Sequence, residues 1–422
     1  MLRINAHRLL QNLESLARVG GTEAGGVSRP ALSQADAAGR AWFKARVESA
    51  GLTFRADAAG NLSALLPAAN PAARTLLAGS HLDTVPNGGR FDGALGVLAA
   101  LEALQTIKEA GLSLPVHLEA ISFTDEEGSV IGMLGSRALT GQLTAAELEQ
   151  PRLGPEQLSA GLARLNLTRD TLHLARREAG SVAGYVELHI EQGTRLEDAA
   201  LPIGVVTSIV GIRSFWLSFA GQAAHAGTTP LDKRADALWG AASFVLQARA
   251  LAEAQFAPGV VNCGQLLVEP GSFNIVPSGA RLALEFRHGS EDRLDQMEAA
   301  LLELAADIAA QHHLSLVAEP VGGCLAAPMH PRMIEAIEQA AATLQLKHTR
   351  LLSLAGHDAQ ILSPFAPSVL FFVPSVGGIS HNPQEYTHSA DVVNGANVLL
   401  HALLILAEST VDLSPSHLFT EM

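Results

Sequence analysis

The stretch "AGSHLDTVPNGGRFDGALG", residues 78–96, decides the fold because it joins an apolar, strand-like run to the helix-like run "VLAALEALQTI". His81, Asp83 and Asp92 lie at this junction, among several glycines. Glycine lets the backbone turn sharply and approach other groups closely. We therefore expect the turn to bring Asp92 back over the strand end that carries His81. Because a carboxylate has two oxygens, Asp92 could bridge two cations of a paired-metal hydrolytic site.

Strand-like and helix-like runs alternate around this stretch, which is typical of a mostly parallel α/β sheet covered by helices on both faces. The run 33–51 predicts a helix with Ser33 as its N-cap and Gly51 as its stop. A hairpin is predicted around Ala58–Asn61, and a helix over 94–110.

The pattern changes near residue 211, where the order strand–helix–strand–strand–helix–strand fits a smaller α+β unit. We therefore predict a sheet domain that is interrupted by an inserted α+β domain. The predicted boundaries are 1–210 and 329–422 for the sheet domain and 211–328 for the inserted domain. Other predicted elements are helices at 232–255, 291–312, 331–345 and 391–408, and strands at 260–268, 280–287 and 368–373.

Composition narrows the class of protein. The chain has 422 residues, 48% of them hydrophobic, and a formal net charge of -14. Basic clusters are absent, so we expect no nucleic-acid partner. No uninterrupted apolar run approaches the roughly 18 residues of a membrane helix, so we expect no membrane association. Cys263 and Cys324 lie far apart, which argues against a disulfide framework and favours a cytoplasmic location.

Candidate metal ligands follow four of the predicted strands. Ligands in open α/β sheets bind at the carboxyl ends of strands, so these side chains are expected to meet there. Imidazoles and carboxylates without thiolates suit zinc, or manganese, cobalt or nickel, better than calcium or magnesium. Asp83 is spaced to share a strand face with His81 and is expected to orient its imidazole. The candidates are His81 and Asp83, then Asp125, Glu126 and Glu127, then His189 and Glu191, and finally His381, with Asp92 in the turn before a helix.

A lone histidine or a lone "DEEG" is more often a structural turn than a ligand. Four strand ends that carry such residues, each followed by Gly or Pro, favour a metal site over that simpler interpretation. The spacing of "GGRFDGALG" does not match a dinucleotide-binding loop, and neither a Walker loop nor a nucleophile elbow is present.

The motifs "GSHLDTVPNGGRFDGALGV", "DEEG", "HIEQG", "GQAAHAGTTPLDKRADAL" and "GISHNPQE" resemble those of metal-dependent amidases with the fold of di-zinc aminoacylases and carboxypeptidases. They are most similar to N-carbamoyl-L-amino-acid hydrolases, allantoate amidohydrolases and their ureidoglycolate and β-ureidopropionate relatives. The resemblance implies a catalytic sheet domain, an inserted dimerisation and lid domain, two divalent metal ions per subunit, and a homodimer.

Carried over residue by residue, the resemblance implies that His81 and His189 each bind one metal ion, with Asp92 bridging. Glu127 and His381 would complete the second metal site, and Glu126 would be the general base. From the residues alone, it stays open which glutamate binds metal and which acts as base. The implied substrate contacts are Gln192 for the ureido group, His225 for the oxyanion, Asn274 and Arg287 for a carboxylate, and Gly356 and His357, beside Asp358, in "GHDAQ".

The expected reaction is hydrolysis of an N-carbamoyl-L-amino acid to the amino acid, ammonia and carbon dioxide. Allantoate is the alternative substrate, because it offers the same ureido and carboxylate groups. An N-acyl amino acid hydrolase or dipeptidase, and a metal-binding protein without catalysis, are further alternatives. Relatives often have "EEGxRF" where this chain has "EEGSVIGMLGS", and this shorter loop leaves the choice of substrate open.

Overall fold

The computed structural model describes residues 1–409, so the end of the predicted segment 329–422 lies outside the described residues. The strands are Thr53–Ala56 (β1), Leu62–Leu66 (β2), Thr75–His81 (β3), His117–Phe123 (β4), Val182–Ile190 (β5), Ile203–Ile209 (β6), Gly211–Ala220 (β7), Ala224–His225 (β8), Val260–Glu269 (β9), Ile275–Val276 (β10), Gly279–His288 (β11), Ser315–Cys324 (β12), Ala327–Pro328 (β13), His348–Ser353 (β14) and Ser368–Val373 (β15). The α-helices are Ala6–Ala17 (α1), Gln34–Ser49 (α2), Ala94–Glu109 (α3), Leu134–Thr140 (α4), Ala145–Glu149 (α5), Pro155–Arg164 (α6), Arg195–Ala199 (α7), Ala237–Gln255 (α8), Glu291–Gln311 (α9), Pro331–Thr343 (α10), Asp358–Leu362 (α11) and Ser389–Ser409 (α12).

The chain divides into two compact units. The first unit comprises Met1–Thr207, Met329–Leu351 and the described residues from Gly356 to Ser409. The second unit comprises Ser208–Pro328 and Leu352–Ala355. The first break thus lies three residues before the boundary predicted after residue 210, and a short segment that begins within the last two residues of β14 joins the second unit.

The first unit is built on a mixed sheet in the order β1-β2-β4-β3-β5-β15-β6, with β14 also paired with β6. The four central strands are parallel, and antiparallel strands flank them on both sides. Every residue of β5 and β15 is buried, as expected for strands covered on both faces. Helix α3 packs on β3, and α12 packs on β5 and β15. The predicted α/β class with its mostly parallel sheet is confirmed.

Helix α12 is long and apolar enough to span a membrane by length and composition alone. The apolar 18-residue stretch of this helix is 61% buried within the protein. The helix packs on α10 and α3 as well as on the sheet. A buried core helix passes the same test, so its apolar character is explained by packing.

The second unit is an antiparallel sheet in the order β12-β7-β11-β9, on which α8 and α9 pack. A separate two-stranded ribbon pairs β8 with β10. The helix predicted over 232–255 begins only at Ala237, because the Asp236 side chain accepts hydrogen bonds from the backbone N–H groups of Leu238 and Trp239. An N-cap of this kind satisfies donors that the first helical turn leaves without partners.

Several local predictions are confirmed. Ser33 caps α2 by accepting a hydrogen bond from Asp36 N, and Gly51 follows the helix end with φ +64°. β1 and β2 form the predicted hairpin. The sequence analysis missed β6, β14 and the short helices α4, α5 and α6, whose patterns are brief and interrupted by polar residues.

Candidate active site

The carboxyl ends of the parallel strands bring the candidate ligands to one edge of the sheet. His81 is the last residue of β3, and His189 lies next to the end of β5. The two glutamates of "DEEG" follow β4, His381 follows β15, and Asp92 lies two residues before α3 begins. The sheet topology therefore collects side chains that lie up to 300 residues apart in the chain (81 to 381).

Asp92 lies at the centre of this edge. Its Oδ1 is 3.0 Å from His189 Nε2 and 3.5 Å from His81 Nε2. Its Oδ2 is 3.3 Å from His381 Nε2, which is also 3.5 Å from Glu127 Oε2. The ligand atoms form two groups that share Asp92, and within each group they lie within 4.8 Å of one another. The first group is His81, Asp92 and His189, and the second is Asp92, Glu127 and His381. His81 and His189 therefore belong to the same group, which corrects the expectation that each of them binds a separate ion.

Backbone carbonyls set the orientation of two of the imidazoles. His81 Nδ1 lies 3.0 Å from the Asp83 carbonyl, and His189 Nδ1 lies 2.8 Å from the Ile190 carbonyl. A carbonyl only accepts, so Nδ1 donates its proton to the carbonyl in both rings, and Nε2 is left facing Asp92. This is the orientation that a metal-binding histidine needs.

The donor set fits divalent cations. The Nε2 atoms of His81 and His189 lie beside Asp92 Oδ1 in a buried site, and His189 Nε2 also accepts a hydrogen bond from Gly93 N at 3.2 Å. Burial acts against a charge on His189, yet the hydrogen bond and charge of Asp92 raise its pKa. The hydrogen bond with Asp92 likewise raises the pKa of His381 to about 9. Imidazole and carboxylate ligands suit zinc, manganese, cobalt or nickel.

Glu126 and Glu127 follow β4 but take different places. Glu127 belongs to the second ligand group, whereas Glu126 belongs to neither. The Oε2 atom of Glu126 is 3.5 Å from His81 Nε2, and its side chain is 9% exposed. Burial raises the pKa of Glu126 well above its usual range. Its carboxyl group therefore lies beside the candidate ligands without belonging to either group, which is a position that suits a general base.

The turn that carries Asp92 depends on two glycines and on Glu385. Gly93 has φ +62°, and a Cβ there would lie 2.4–2.5 Å from the His81 ring. A Cβ at Gly89 would lie 1.9 Å from the carboxylate of Glu385. That buried carboxylate accepts hydrogen bonds from Phe91 N at 2.8 Å and Asp92 N at 3.1 Å. Sequence analysis missed this role, although Glu385 lies in the quoted "GISHNPQE".

Gln192 lies directly at the ligand cluster. Its Nε2 donates to Asp92 Oδ2 at 3.0 Å and to Ser380 Oγ at 3.1 Å. Ser380 in turn donates to Glu385 Oε2 at 2.9 Å. Ser380 was not among the sequence candidates, although it immediately precedes His381.

His357 packs against the first ligand group. Its ring centroid lies 4.5 Å from that of His189. Its Nε2 is buried and has no hydrogen-bond partner among residues 1–409, and burial lowers its pKa well below the usual value. The carboxylate of the neighbouring Asp358 is also buried. A Cβ at Gly356 would lie 3.2 Å from Met133 Cε.

The expected role of the Asp83 carboxylate is corrected. β3 ends at His81, so Asp83 is not on the same strand face. Its backbone carbonyl contacts His81 Nδ1, whereas its Oδ1 lies 3.9 Å away. Its Oδ2 instead accepts a hydrogen bond from Glu127 N at 3.3 Å.

Asp125 and Glu191 are in neither ligand group, and both carboxylates bind backbone N–H groups. Asp125 Oδ2 accepts hydrogen bonds from Val130 and Ile131 in the loop after β4. Glu191 accepts from Arg195 N at 3.0 Å and from Leu196 N at 2.9 Å, at the start of α7.

The second unit carries His225, Asn274 and Arg287. His225 and Asn274 are exposed on adjoining parts of the β8–β10 ribbon, where Ala226 N donates to the Asn274 carbonyl. His225 Nδ1 accepts hydrogen bonds from Gly227 N at 3.1 Å and Thr228 N at 3.2 Å. The neutral ring therefore carries its proton on Nε2, as a donor.

Arg287 lies on β11, and its guanidinium group already has hydrogen-bond partners. Its Nη2 forms an ion pair of 2.8 Å with Glu285, and its Nη1 donates to the Leu354 carbonyl at 2.6 Å. The side chains of the pair are about one third exposed, at 31% and 36%.

Residues 77–405 match Peptidase family M20/M25/M40. The chain is 37% identical to an N-carbamoyl-L-amino acid amidohydrolase of Geobacillus stearothermophilus, over 96% of this chain and 99% of that protein. It is 32% identical to an allantoate amidohydrolase of Bacillus subtilis, over 94% and 96%. A solved amidase of the hydantoinase/carbamoylase family from Burkholderia multivorans superposes with a TM-score of 0.88 at 34% identity, over 96% and 98% of the two chains.

Proposed function

Since the chain belongs to Peptidase family M20/M25/M40, we propose that it is a two-metal amidohydrolase acting on N-carbamoyl-L-amino acids. The products would be the amino acid, ammonia and carbon dioxide. The observation that carries the proposal is the division of the Asp92 oxygens between two ligand groups, with the unshared carboxyl of Glu126 beside them.

The metal ions are part of the proposal. His81, Asp92 and His189 would hold one ion, and Asp92, Glu127 and His381 the other. Zinc is our first choice, with manganese, cobalt or nickel as alternatives. Bound there, two divalent cations would supply Lewis-acid chemistry, lowering the pKa of a water and polarising the carbonyl of the substrate.

Glu126 is the proposed general base. Its carboxylate would take a proton from the attacking water and deliver it to the departing nitrogen as the C–N bond breaks. Its buried position, which raises its pKa, favours holding that proton between the two steps. Nδ1 of His225 accepts backbone hydrogen bonds, so its Nε2–H would donate to the oxyanion.

The remaining predicted residues are proposed substrate contacts. Gln192, which already donates to Asp92, would bind the ureido group, and Gly356 and His357 would be further substrate contacts. Asn274 and the Arg287 fork would bind the substrate carboxylate, a geometry that a guanidinium matches with two parallel hydrogen bonds. The Glu285 carboxylate forms an ion pair with the Arg287 guanidinium in this structure. A substrate carboxylate would therefore compete with Glu285 for the guanidinium.

Two further proposals concern the state of the protein. We propose a homodimer in which His225 serves the site of the partner, with the second unit as the dimerisation and lid domain. We also propose a cytoplasmic location, because the chain has only two cysteines, Cys263 and Cys324, which lie far apart in the sequence and do not suggest a disulfide framework.

Ammonia release by the metal-loaded enzyme tests the proposal. The panel would hold N-carbamoyl-L- and D-amino acids, N-carbamoyl-β-alanine, allantoate and ureidoglycolate, with N-acetyl amino acids and dipeptides followed by free amine. We expect chelator-sensitive release from a subset of the L-carbamoyl compounds. A preference for allantoate would change the substrate and keep the residue roles. Activity on acetylated compounds or dipeptides alone would overturn the proposed substrate class.

A further inference from the structure

Arg29 is a buried cation that the proposed reaction does not use. It is 1% exposed and belongs to the loop between α1 and α2. Its guanidinium donates to three backbone carbonyls: Nε to Leu82 at 2.7 Å, and Nη1 to Val19 at 2.7 Å and Leu16 at 3.1 Å. Burial lowers its pKa to about 10. Burying a charge is costly unless it is fully hydrogen-bonded, so this arrangement calls for an explanation.

Of the three acceptors, the Leu82 carbonyl matters most because Leu82 is a chain neighbour of the candidate metal site. Leu82 lies between His81, a member of the first ligand group, and Asp83, whose carbonyl fixes the His81 ring. Asp83 Oδ2 also accepts from Glu127 N, and Val85 N donates to Glu127 Oε1 at 3.3 Å. The segment 82–85 therefore contacts one ligand from each of the two groups.

Arg29 holds this segment at a second point through its own backbone. Arg29 N donates to Thr84 Oγ1 at 2.9 Å, and Thr84 N donates to the Arg29 carbonyl at 3.0 Å. The aliphatic part of the Arg29 side chain packs against α2. A Cβ at Gly39 in that helix would lie 2.8 Å from Arg29 Cδ. The side chain thus fills a slot between α1, α2 and the segment 82–85.

We propose that Arg29 is a positioning residue that sets the metal affinity of both ligand groups by fixing the segment 82–85 behind His81 and Glu127. This inference rests on the proposed metal centre. Arg29 touches no ligand, and it acts through the Leu82 carbonyl and the Thr84 backbone. Lysine would keep the charge but cannot reproduce the planar fork with its separate donors.

The test is Co²⁺ binding by the purified, metal-free full-length protein, followed by competition with a chromophoric chelator and by the visible absorption of the bound ion. Arg29→Lys should weaken binding at least tenfold and change the absorption bands. Arg177→Lys is the matched control, because Arg177 is ion-paired with buried Glu119 outside the ligand groups. It should lose thermal stability but bind Co²⁺ as the wild type does.

Gly39→Ala provides a second variant if Arg29→Lys fails to fold. Alanine favours a helix more than glycine does, so this change should not weaken α2 itself, but its methyl group pushes on the Arg29 stem. It should also lower Co²⁺ affinity. Wild-type affinity and spectra in both variants, or in Gly39→Ala alone if the other does not fold, would overturn the inference. Failure of the wild type itself to bind Co²⁺ would overturn the proposed metal centre and this inference with it.

Discussion

The two units hold their polar residues in different ways. In the first unit, Asp92 is buried and forms hydrogen bonds with Gln192 and Glu385, which lie 100 and 293 positions away in the chain. In the second unit, His225 and Asn274 are exposed, with hydrogen bonds to near neighbours on one ribbon. A buried polar network specifies its geometry strongly because unsatisfied members are costly. We therefore expect the first unit to be preorganised for the proposed ions, and the exposed groups of the second unit to act as the proposed substrate contacts.

The largest expected effect comes from removing the proposed base in the first unit. Glu126→Gln should lower kcat by about 10²–10⁴-fold, the usual contribution of a general base, and leave the metal content unchanged. Ammonia release and metal analysis of the purified variant check this. Glu119→Gln, at another buried carboxylate, should cost stability and leave kcat near the wild-type value. Retained turnover in Glu126→Gln would show that another group is the base.

A smaller effect is expected at Glu385, which supports Asp92 without being in either ligand group. Glu385→Gln replaces a charged acceptor by a weaker neutral one at Phe91 N and Asp92 N. Metal affinity should fall by roughly 10–100-fold, as for other residues that support a ligand. Chelator competition measures it, with Glu338→Gln, ion-paired to Arg350, as the control. Equal metal affinities in the wild type and both variants would mean that the turn carrying Asp92 keeps its conformation without the Glu385 carboxylate.

A substitution at a proposed substrate contact in the second unit should change substrate binding and leave metal binding unchanged. Arg287→Lys removes a bidentate fork, and a hydrogen bond to a charged group contributes about 1.5–3 kcal/mol. We expect KM for N-carbamoyl amino acids to rise by roughly 10–100-fold, with wild-type metal affinity. The same variant should not change KM for N-carbamoyl amino acid amides, which lack the carboxylate. An equal rise for acids and amides would remove Arg287 from carboxylate binding.

The smallest effect concerns stability alone. Asp236→Ala removes the N-cap of α8 in the second unit and should lower the free energy of unfolding by about 1 kcal/mol. Ser33→Ala, at the N-cap of α2 in the first unit, should cost a similar amount. Denaturant titrations measure both. Neither variant should alter metal affinity, and a loss of affinity in Asp236→Ala would contradict the separation of roles between the units.

Much of the fold and of the candidate site could be predicted because the signals are local. Apolar runs predicted the buried strands, and the polar residues after each run predicted which side chains would meet at the sheet edge. Parallel strands end at one edge, so His81, Asp92 and His381 follow from topology once the α/β class is known. The ends of α2 were predicted because a capping serine and a terminal glycine act within one helical turn.

What the sequence by itself determined is therefore the class of fold, the candidate ligands and the chemistry they favour. Only the tertiary structure decided how those ligands are held. The carboxylate of Glu385 meets Phe91 N across 294 positions of the chain, and Arg29 reaches Leu82 from another loop. The His81 ring was expected to be oriented by the Asp83 carboxylate, but it contacts the Asp83 backbone carbonyl instead. Such contacts depend on packing between elements, and a hydrogen bond between distant residues leaves no periodicity or spacing in the sequence that could reveal it.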